Sequence, residues 1–114
     1  MSQDCIFCKI VAGQIPSAKV YEDDQVLAFR DINPQAPVHL LVIPKKHLAS
    51  VSELSSEDSA MLGHVFAAIQ QVARSEGIAE SGYRVVTNTG KDAGQVVFHL
   101  HFHVLGGRPL GPVA

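Results

Sequence analysis

The segment His99-Leu100-His101-Phe102-His103-Val104-Leu105 decides how the rest of the chain is interpreted. Side chains alternate between the two faces of a β-strand, so its three histidines are predicted to share one face, about 6.6–6.8 Å apart along the strand. We expect this strand to span 97–105 and to end at the two glycines that follow. The opposite face is apolar and is predicted to pack on the core; it comprises Phe98, Leu100, Phe102 and Val104.

Three imidazoles on one strand face allow three interpretations. The face could be a solvated surface that happens to be rich in histidine. It could supply two or three ligands to a metal ion. It could also carry acid–base and nucleophilic chemistry, because neutral imidazole near pH 7 supports both. Spacing alone does not separate the last two interpretations.

Composition places this segment in a small folded protein. The chain has 114 residues, 46% hydrophobic and 18% charged, which indicates a single domain over residues 1–114 and excludes a disordered tail. Lys and Arg number 9 against 11 Asp and Glu, so no basic excess points to nucleic acid or to an anionic membrane. No apolar run approaches the ~18 residues of a membrane-spanning helix. The first residues do not resemble a secretory signal, and we therefore expect a cytoplasmic protein.

Periodicity and turn residues predict the remaining elements. A short helix is expected over 4–13, capped by Asp4 and ended by Gly13. A long helix is expected over 55–77, where Ser55 and Asp58 have the spacing of a capping box. Its apolar face is predicted to contain Met61, Leu62, Val65, Phe66, Ile69, Val72 and Ala73.

Four further strands are predicted, and together with the helices they indicate the fold class. They cover 19–22, 25–31, 38–43 and 83–89, and the third is apolar enough to be buried on both faces. The order of elements predicts an α+β fold with a mainly antiparallel sheet covered on one face. The loop between the last two strands contains Gly90 and Gly94, which let the backbone approach an anion closely; alone, this is a weak signal.

The only two cysteines, Cys5 and Cys8, have the spacing of half a tetrahedral metal site. A thioredoxin-like redox pair would need a strand directly before it, and none is predicted there. A metal site and a pair of reduced thiols therefore both remain open.

Several blocks of the chain, in the right order and at plausible distances, resemble the histidine triad (HIT) family. The histidine segment resembles the family signature His-φ-His-φ-His-φ-φ, in which φ is apolar. Residues 5–10 with 15–17 resemble its N-terminal block, and residues 28–39 resemble its nucleoside-binding block. Residues 41–47 and the pair Gly94-Gln95 also match. The ending Leu105-Gly106-Gly107-Arg108-Pro109 resembles the branch of histidine triad nucleotide-binding proteins.

The resemblance implies a five-stranded antiparallel sheet with a short N-terminal helix and one long helix. Two such subunits would join their sheets into one sheet of ten strands. The implied reaction is hydrolysis of a purine nucleoside 5′-phosphoramidate through a nucleotidyl-histidine intermediate, with acyl adenylates on lysine as related substrates. A metal-dependent hydrolase that uses the histidines as ligands, and a nucleotide-binding regulator with little catalysis, are the alternatives.

The resemblance also assigns roles to individual residues. His101 is the expected nucleophile, His103 is expected to contact phosphoryl oxygens or the leaving group, and His39 is expected to join a relay that protonates the amine. Asp31 is expected to accept both ribose hydroxyls. The expected base slot consists of Ile6, Phe7, Phe29, Ile32 and Leu41, and the expected phosphate or leaving-group contacts are Asn88, Gly94, Gln95 and the backbone of Val97. Relatives often carry a polar residue where this chain has Val96.

For the cysteines, the resemblance implies a structural zinc site. Its ligands would be Cys5, Cys8, His47 and His99, a closed set of four that leaves no position for catalysis. His64, in the long helix, has no counterpart in these roles and is interpreted as structural.

Overall fold

The structure is a computed structural model that describes residues 4–113, so the two ends of the predicted domain lie outside the described residues. Five antiparallel strands form one sheet in the order β1-β2-β3-β5-β4. The strands are β1 (Lys19–Glu22), β2 (Val26–Arg30), β3 (Val38–Pro44), β4 (Tyr83–Val86) and β5 (Phe102–Gly106), and the helices are α1 (Ile6–Val11) and α2 (Ser59–Ser75). The predicted α+β fold is confirmed. No helix within residues 4–113 is both long and apolar enough to cross a membrane.

Helix α2 covers one face of the sheet. Its buried side chains, Met61, Val65, Ala68, Ile69, Val72 and Ala73, follow the helical period. They pack on residues that alternate along the strands: Val26, Ala28, Leu40, Val42, Phe102 and Val104. Phe66, predicted to belong to this apolar face, is instead 49% exposed, although its ring lies 5.5 Å from that of Phe102.

Helix α1 covers the other face, so the prediction of a sheet covered on one face is wrong. Phe7, Cys8 and Ile10 pack on the residues of β2 and β3 that point away from α2, namely Leu27, Phe29, Leu41 and Ile43. Both central strands therefore alternate between two cores, which explains why β3 is buried along almost its whole length.

The last strand is shorter than predicted, because β5 begins at Phe102 and not at residue 97. Its pairing with β3 starts at Val42 and Phe102. Continuing the ladder would require Pro44, which has no N–H group, and the carbonyl of Pro44 is already bonded to the ring of His99 at 2.8 Å. The Leu100 N–H instead donates to the carbonyl of Leu48 at 2.6 Å. Phe98, predicted to pack on the core, is 57% exposed for the same reason.

Smaller differences concern the ends of elements. Cys5, and not Asp4, is the N-cap of α1, since its Sγ accepts from the Cys8 N–H at 3.2 Å. The predicted capping box of Ser55 and Asp58 is present, but it caps a 3-10 turn over Ser56–Asp58 that leads into α2. Strand β4 ends at Val86, three residues before the predicted end.

Candidate active site and metal centre

His101 presents an unprotonated ring nitrogen because of a bond to its own chain. Its Nδ1 lies 2.6 Å from the carbonyl oxygen of His99, and a carbonyl can only accept, so Nδ1 carries the proton. In the neutral ring, Nε2 is then left with its lone pair. The edge-on ring of Phe7, 5.1 Å away between centroids, packs against the imidazole and restricts its orientation. An oriented neutral imidazole with one available lone pair is suited to nucleophilic attack.

His39 and His103 form a chain of hydrogen bonds whose direction can be assigned. The backbone N–H of Gln35 donates to His39 Nδ1 at 2.9 Å, so the proton of the neutral His39 ring is on Nε2. That Nε2 lies 2.9 Å from His103 Nδ1, which therefore accepts. The proton of His103 is consequently on its Nε2, where it is available as a donor. Asp31 Oδ2 lies 3.4 Å from the same Nε2 of His39.

The environment keeps these rings neutral. Burial, then the neighbouring rings of His101 and His39, lowers the pKa of His103 to about 4. Burial also lowers the pKa of His39, and the Asp31 carboxylate opposes that shift only in part. Before a ligand binds, His103 is therefore a neutral hydrogen-bond donor at pH 7.

A cavity of about 400 Å³ lies beside His101 and His103, between α1 and the sheet. All ten residues predicted to bind the nucleotide line it: Ile6, Phe7, Phe29, Asp31, Ile32, Leu41, Asn88, Gly94, Gln95 and Val97. The volume and the mainly apolar wall with a few convergent polar groups are typical of a small-molecule site. His39 lies behind His103 and is not part of the wall.

The cavity wall also contains three residues that were not predicted to line it, Ile10, Arg30 and Val96. Ile10 lies one helical turn from Ile6, a signal that the sequence contains. Arg30 also lines the cavity, but its guanidinium makes a bidentate pair with Glu76 at 2.8 and 2.9 Å. Val96 is 84% exposed and adds an apolar side chain to the rim.

The loop before the histidine segment is held by the side chain of Gln95. Its Oε1 accepts from the Gly90 N–H at 2.8 Å, and its Nε2 donates to the carbonyls of Ala49 and Val97 at 2.7 and 3.1 Å. Both donor positions of the amide are therefore used within the protein. Gly90 and Gly94 have φ of 82° and 85°, a backbone conformation that favours glycine. This loop faces the cavity with Asn88, Gly94 and the backbone near Val97.

Cys5, Cys8, His47 and His99 converge on one point beside the cavity. Their ligand atoms, two Sγ and two Nδ1, all lie within 4.8 Å of one another. They come from three separate segments: the start of α1, the turn after β3 and the segment before β5. The fold brings together residues as far as 94 positions apart in the chain, since Cys5 Sγ lies 3.3 Å from His99 Nδ1. We call these four residues the metal-ligand cluster.

The chemistry of the metal-ligand cluster fits a zinc ion. His99 Nε2 must donate to the Pro44 carbonyl at 2.8 Å, so the lone pair of its Nδ1 faces the two sulfurs. The ring of His99 is fully buried, and burial lowers its pKa, so it stays a neutral ligand. Burial and the adjacent Cys5 thiol raise the pKa of Cys8 to about 11, so a metal ion would have to displace that proton. Two thiolates and two imidazoles are a common structural zinc set.

A second group, Asp31, His39 and His103, also brings three ligand atoms within 4.8 Å. Here, however, His39 Nε2 and His103 Nδ1 face each other across a 2.9 Å hydrogen bond. A metal ion would have to separate the two rings to reach both lone pairs. The arrangement therefore fits a proton relay better than a metal site.

Comparison with known proteins agrees with this geometry. The HIT domain profile matches residues 12–110, a range that starts after both cysteines. The chain is 50% identical over 113 residues to the purine nucleoside phosphoramidase of Escherichia coli K12, a match covering 99% of this chain and 95% of that protein.

Solved structures show the same fold. The HIT family hydrolase from Clostridium thermocellum superimposes with a TM-score of 0.95 at 50% identity, covering 98% of this chain and 97% of that one. A histidine triad protein from Clostridium difficile has a TM-score of 0.95 at 47% identity, covering 100% and 99%. With the family profile matching most of its length, the chain belongs to the HIT family.

Proposed function

We propose that the protein is a purine nucleoside phosphoramidase that hydrolyses the P–N bond of nucleoside 5′-phosphoramidates. The observation that carries this proposal is the orientation of His101, whose Nδ1–H is bonded to the His99 carbonyl so that the lone pair of Nε2 remains available beside the cavity. The relative from E. coli, at 50% identity, supports the same bond type.

The cavity suits a purine nucleotide. The rings of Phe7 and Phe29 and the side chain of Leu41 offer apolar contacts for a base, and Ile6 and Ile32 extend this wall toward the rim. Asp31 uses its Oδ1 to accept from the Asn33 N–H at 2.8 Å, and it keeps acceptor positions for ribose hydroxyls. The phosphate would then lie near His101 and His103, beside the loop that contributes Asn88, Gly94 and Val97 to the cavity wall.

The proposed reaction has two displacements. His101 Nε2 forms a bond to the α-phosphorus while the P–N bond to the amine breaks, and the departing nitrogen takes up a proton. Water then attacks the phosphorus, the bond to His101 breaks, and the water gives up a proton. The sum is phosphoramidate plus water to nucleoside monophosphate plus amine. Acyl adenylates would react by the same two steps with a carboxylate as leaving group.

His103 and His39 would supply the first proton. The negative charge of a bound phosphoryl group favours a protonated relay, which opposes the burial that lowers the pKa of His103 to about 4. A proton taken up with the substrate is then positioned on His103 Nε2, from which it can pass to the amine. Proton transfer of this kind contributes about 10²- to 10⁴-fold to the rate.

Two further parts of the proposal concern zinc and assembly. The metal-ligand cluster would hold a structural zinc ion in a closed four-ligand shell, which supplies folding energy and no open catalytic position.

Strand β4 lies at the edge of the sheet and exposes Tyr83 and Val85 there. Edge strands with apolar side chains favour pairing with another strand, so we propose a homodimer in which two β4 strands join the sheets.

Rapid mixing with adenosine 5′-phosphoramidate tests the reaction. We expect release of ammonia and AMP, and intact-protein mass spectrometry after an alkaline quench should show one added adenylyl group that is absent from His101→Ala. A metal-dependent hydrolase would show turnover without an adduct. A nucleotide-binding regulator would bind AMP without turnover, and either result would refute the proposed mechanism.

The dimer is tested by placing a charge on the β4 edge. Val85→Lys is expected to shift the protein from dimer to monomer in light scattering, because a lysine on the edge disfavours strand pairing. Val51→Lys, at a similarly exposed valine in the 3-10 turn Val51–Glu53, is the matched control and should leave the mass unchanged. A wild-type protein that is monomeric at high concentration would contradict the dimer.

A further inference from the structure

We propose that the metal-ligand cluster positions the nucleotide site, so that metal occupancy controls nucleotide affinity and the orientation of His101. The cluster would thus regulate the site as well as stabilise the fold. The choice of His101 as the oriented group rests on the proposed function. The inference itself concerns how three chain segments around the cavity are held together.

His99 belongs to both sites at once. Its ring Nδ1 lies 3.2 Å from His47 Nδ1 and 3.3 Å from Cys5 Sγ, inside the metal-ligand cluster. Its carbonyl oxygen accepts the bond from His101 Nδ1 at 2.6 Å, which sets the tautomer of that ring. The two functions lie on one residue in a segment without strand pairing, so the position of the carbonyl depends on what holds the ring.

Helix α1 connects the metal-ligand cluster to the cavity wall. Cys5 caps this helix, and Cys8 lies within its first turn, so both ligands are fixed to its N-terminal end. The same helix contributes Ile6, Phe7 and Ile10 to the cavity. The ring of Phe7 touches both His99 and His101, with centroids 6.0 and 5.1 Å apart. With only six residues, α1 gains little stability from its own hydrogen bonds, so its position depends on tertiary contacts.

The segment that carries His47 holds the phosphate side of the cavity. The carbonyl of Leu48 accepts from the Leu100 N–H at 2.6 Å, and the carbonyl of Ala49 accepts from Gln95 Nε2 at 2.7 Å. The first bond fixes the residue before His101, and the second fixes the loop that ends at Val97. His47 itself is absent from the cavity wall, so any effect of this side chain on nucleotide binding must pass through the segments it joins.

Three segments that form the cavity therefore meet at one set of four ligands. When these ligands are bound to one ion, α1, the turn after β3 and the segment before β5 become a single rigid unit. Without an ion, the thiol and imidazole groups are joined by hydrogen bonds of 3.2–3.5 Å, which are weak because sulfur is a poor donor and acceptor. We expect the cavity to persist, but α1 and the segment before β5 should move independently of each other. This motion weakens nucleotide binding and broadens the range of orientations of the His101 ring.

The test compares His47→Ala with wild-type protein, using zinc chloride and AMP as probes. His47→Ala is expected to contain no zinc in elemental analysis. Its Kd for AMP should rise and its kcat for adenosine 5′-phosphoramidate should fall, both by about 10- to 100-fold. Nitrogen chemical shifts of isotope-labelled histidine should show His101 changing from one Nδ1–H tautomer to a mixture. A purely structural ligand would lower the melting temperature without moving either the Kd or the tautomer of the folded protein.

Rescue and control variants sharpen the result. His47→Cys provides a third thiolate, so added zinc should return the Kd and the His101 shifts to the wild-type range. His64→Ala removes an exposed histidine of α2 and should change nothing. If His47→Ala does not fold, His47→Gln replaces it, because the amide can still bond to the Cys8 thiol without being a good zinc ligand.

Three results would overturn the inference. One is a zinc-free His47 variant with wild-type Kd and tautomer, and another is His47→Cys that binds zinc without recovery. The third is a wild-type protein that binds no zinc. If the wild-type protein turns over no phosphoramidate, the proposed function fails, but AMP affinity and the His101 tautomer still test this inference.

Discussion

The two faces of the sheet use the same strands for different purposes. Under α2, residues such as Leu40, Val42 and Val104 meet a helix with a regular apolar stripe and are fully buried. Under α1, the next residues along the same strands, Leu41 and His103, meet a helix of six residues and a cavity of about 400 Å³. The α2 face stabilises the fold, and the α1 face leaves side chains available for a ligand.

The difference shows how a small domain can separate stability from chemistry. Buried ionisable rings and thiols are costly in a core, and this chain places them where neighbouring polar groups or a ligand can satisfy them. If the separation holds, substitutions on the α1 face should affect activity, and substitutions on the α2 face should affect the free energy of unfolding.

The largest effect is expected on the α1 face. His101→Ala removes the proposed nucleophile and should lower kcat for adenosine 5′-phosphoramidate by at least about 10³-fold. A melting temperature measured in parallel reports any loss of packing against the rings of Phe7 and His103. His64→Ala is the matched control. Turnover by His101→Ala within tenfold of the wild type would assign the chemistry to another group.

On the α2 face, Ile69→Ala should give the converse result. Ile69 is 2% exposed, and truncating a core isoleucine lowers the free energy of unfolding by about 2–5 kcal/mol. Urea unfolding measures this change, and kcat and KM measured well below the transition should match the wild type. A large change in KM with little loss of stability would mean that the two faces are coupled.

Lowering the pH should reduce the free energy of unfolding through the histidines of the α1 face. The pKa of His103 is lowered in the folded protein to about 4 from 6.5, so the unfolded chain binds the proton first as the pH falls. The free energy of unfolding should therefore be undiminished above about pH 6.5 and should fall by up to about 3 kcal/mol toward pH 4. The pKa of His39, lowered mainly by burial, adds to the same slope. Thermal melts across this range measure it.

His103→Gln separates this contribution from other acid-sensitive groups. The variant lacks the titrating ring, so its stability should depend less steeply on pH than that of the wild type between about pH 6.5 and pH 4. Identical slopes for the two proteins would show that His103 does not titrate as its burial requires.

The smallest effect is expected from the capping box of the 3-10 turn that leads into α2. Ser55 accepts from the Glu57 N–H, and Asp58 accepts from the Ser55 N–H at 3.0 Å, in a capping box far from the cavity. Ser55→Ala should lower the free energy of unfolding by about 1 kcal/mol and leave kcat and KM unchanged. Thermal denaturation with a parallel activity assay decides this, and any loss of activity without loss of stability would count against the separation of the two faces.

Where the sequence-based predictions succeeded, the cause was local. Strands β2 and β3, most of the apolar stripe of α2 and the capping box depend on residues close in the chain, and each was predicted. The predictions that were wrong depended on distant partners. The start of β5 is set by Pro44 and the ring of His99, and Phe98 is exposed as a result.

By itself, the sequence determined the α+β class, the two helices, the five strands and the family. These depend on the spacing of apolar residues and on the order of the motif blocks, and both can be seen in the sequence. Only the tertiary structure decided which ring nitrogen carries the proton in His39, His99, His101 and His103. Those tautomers depend on backbone groups of Gln35, Pro44 and His99, whose positions no side-chain pattern records. It also showed that one residue, His99, joins the metal-ligand cluster to His101, because that link runs through a main-chain carbonyl.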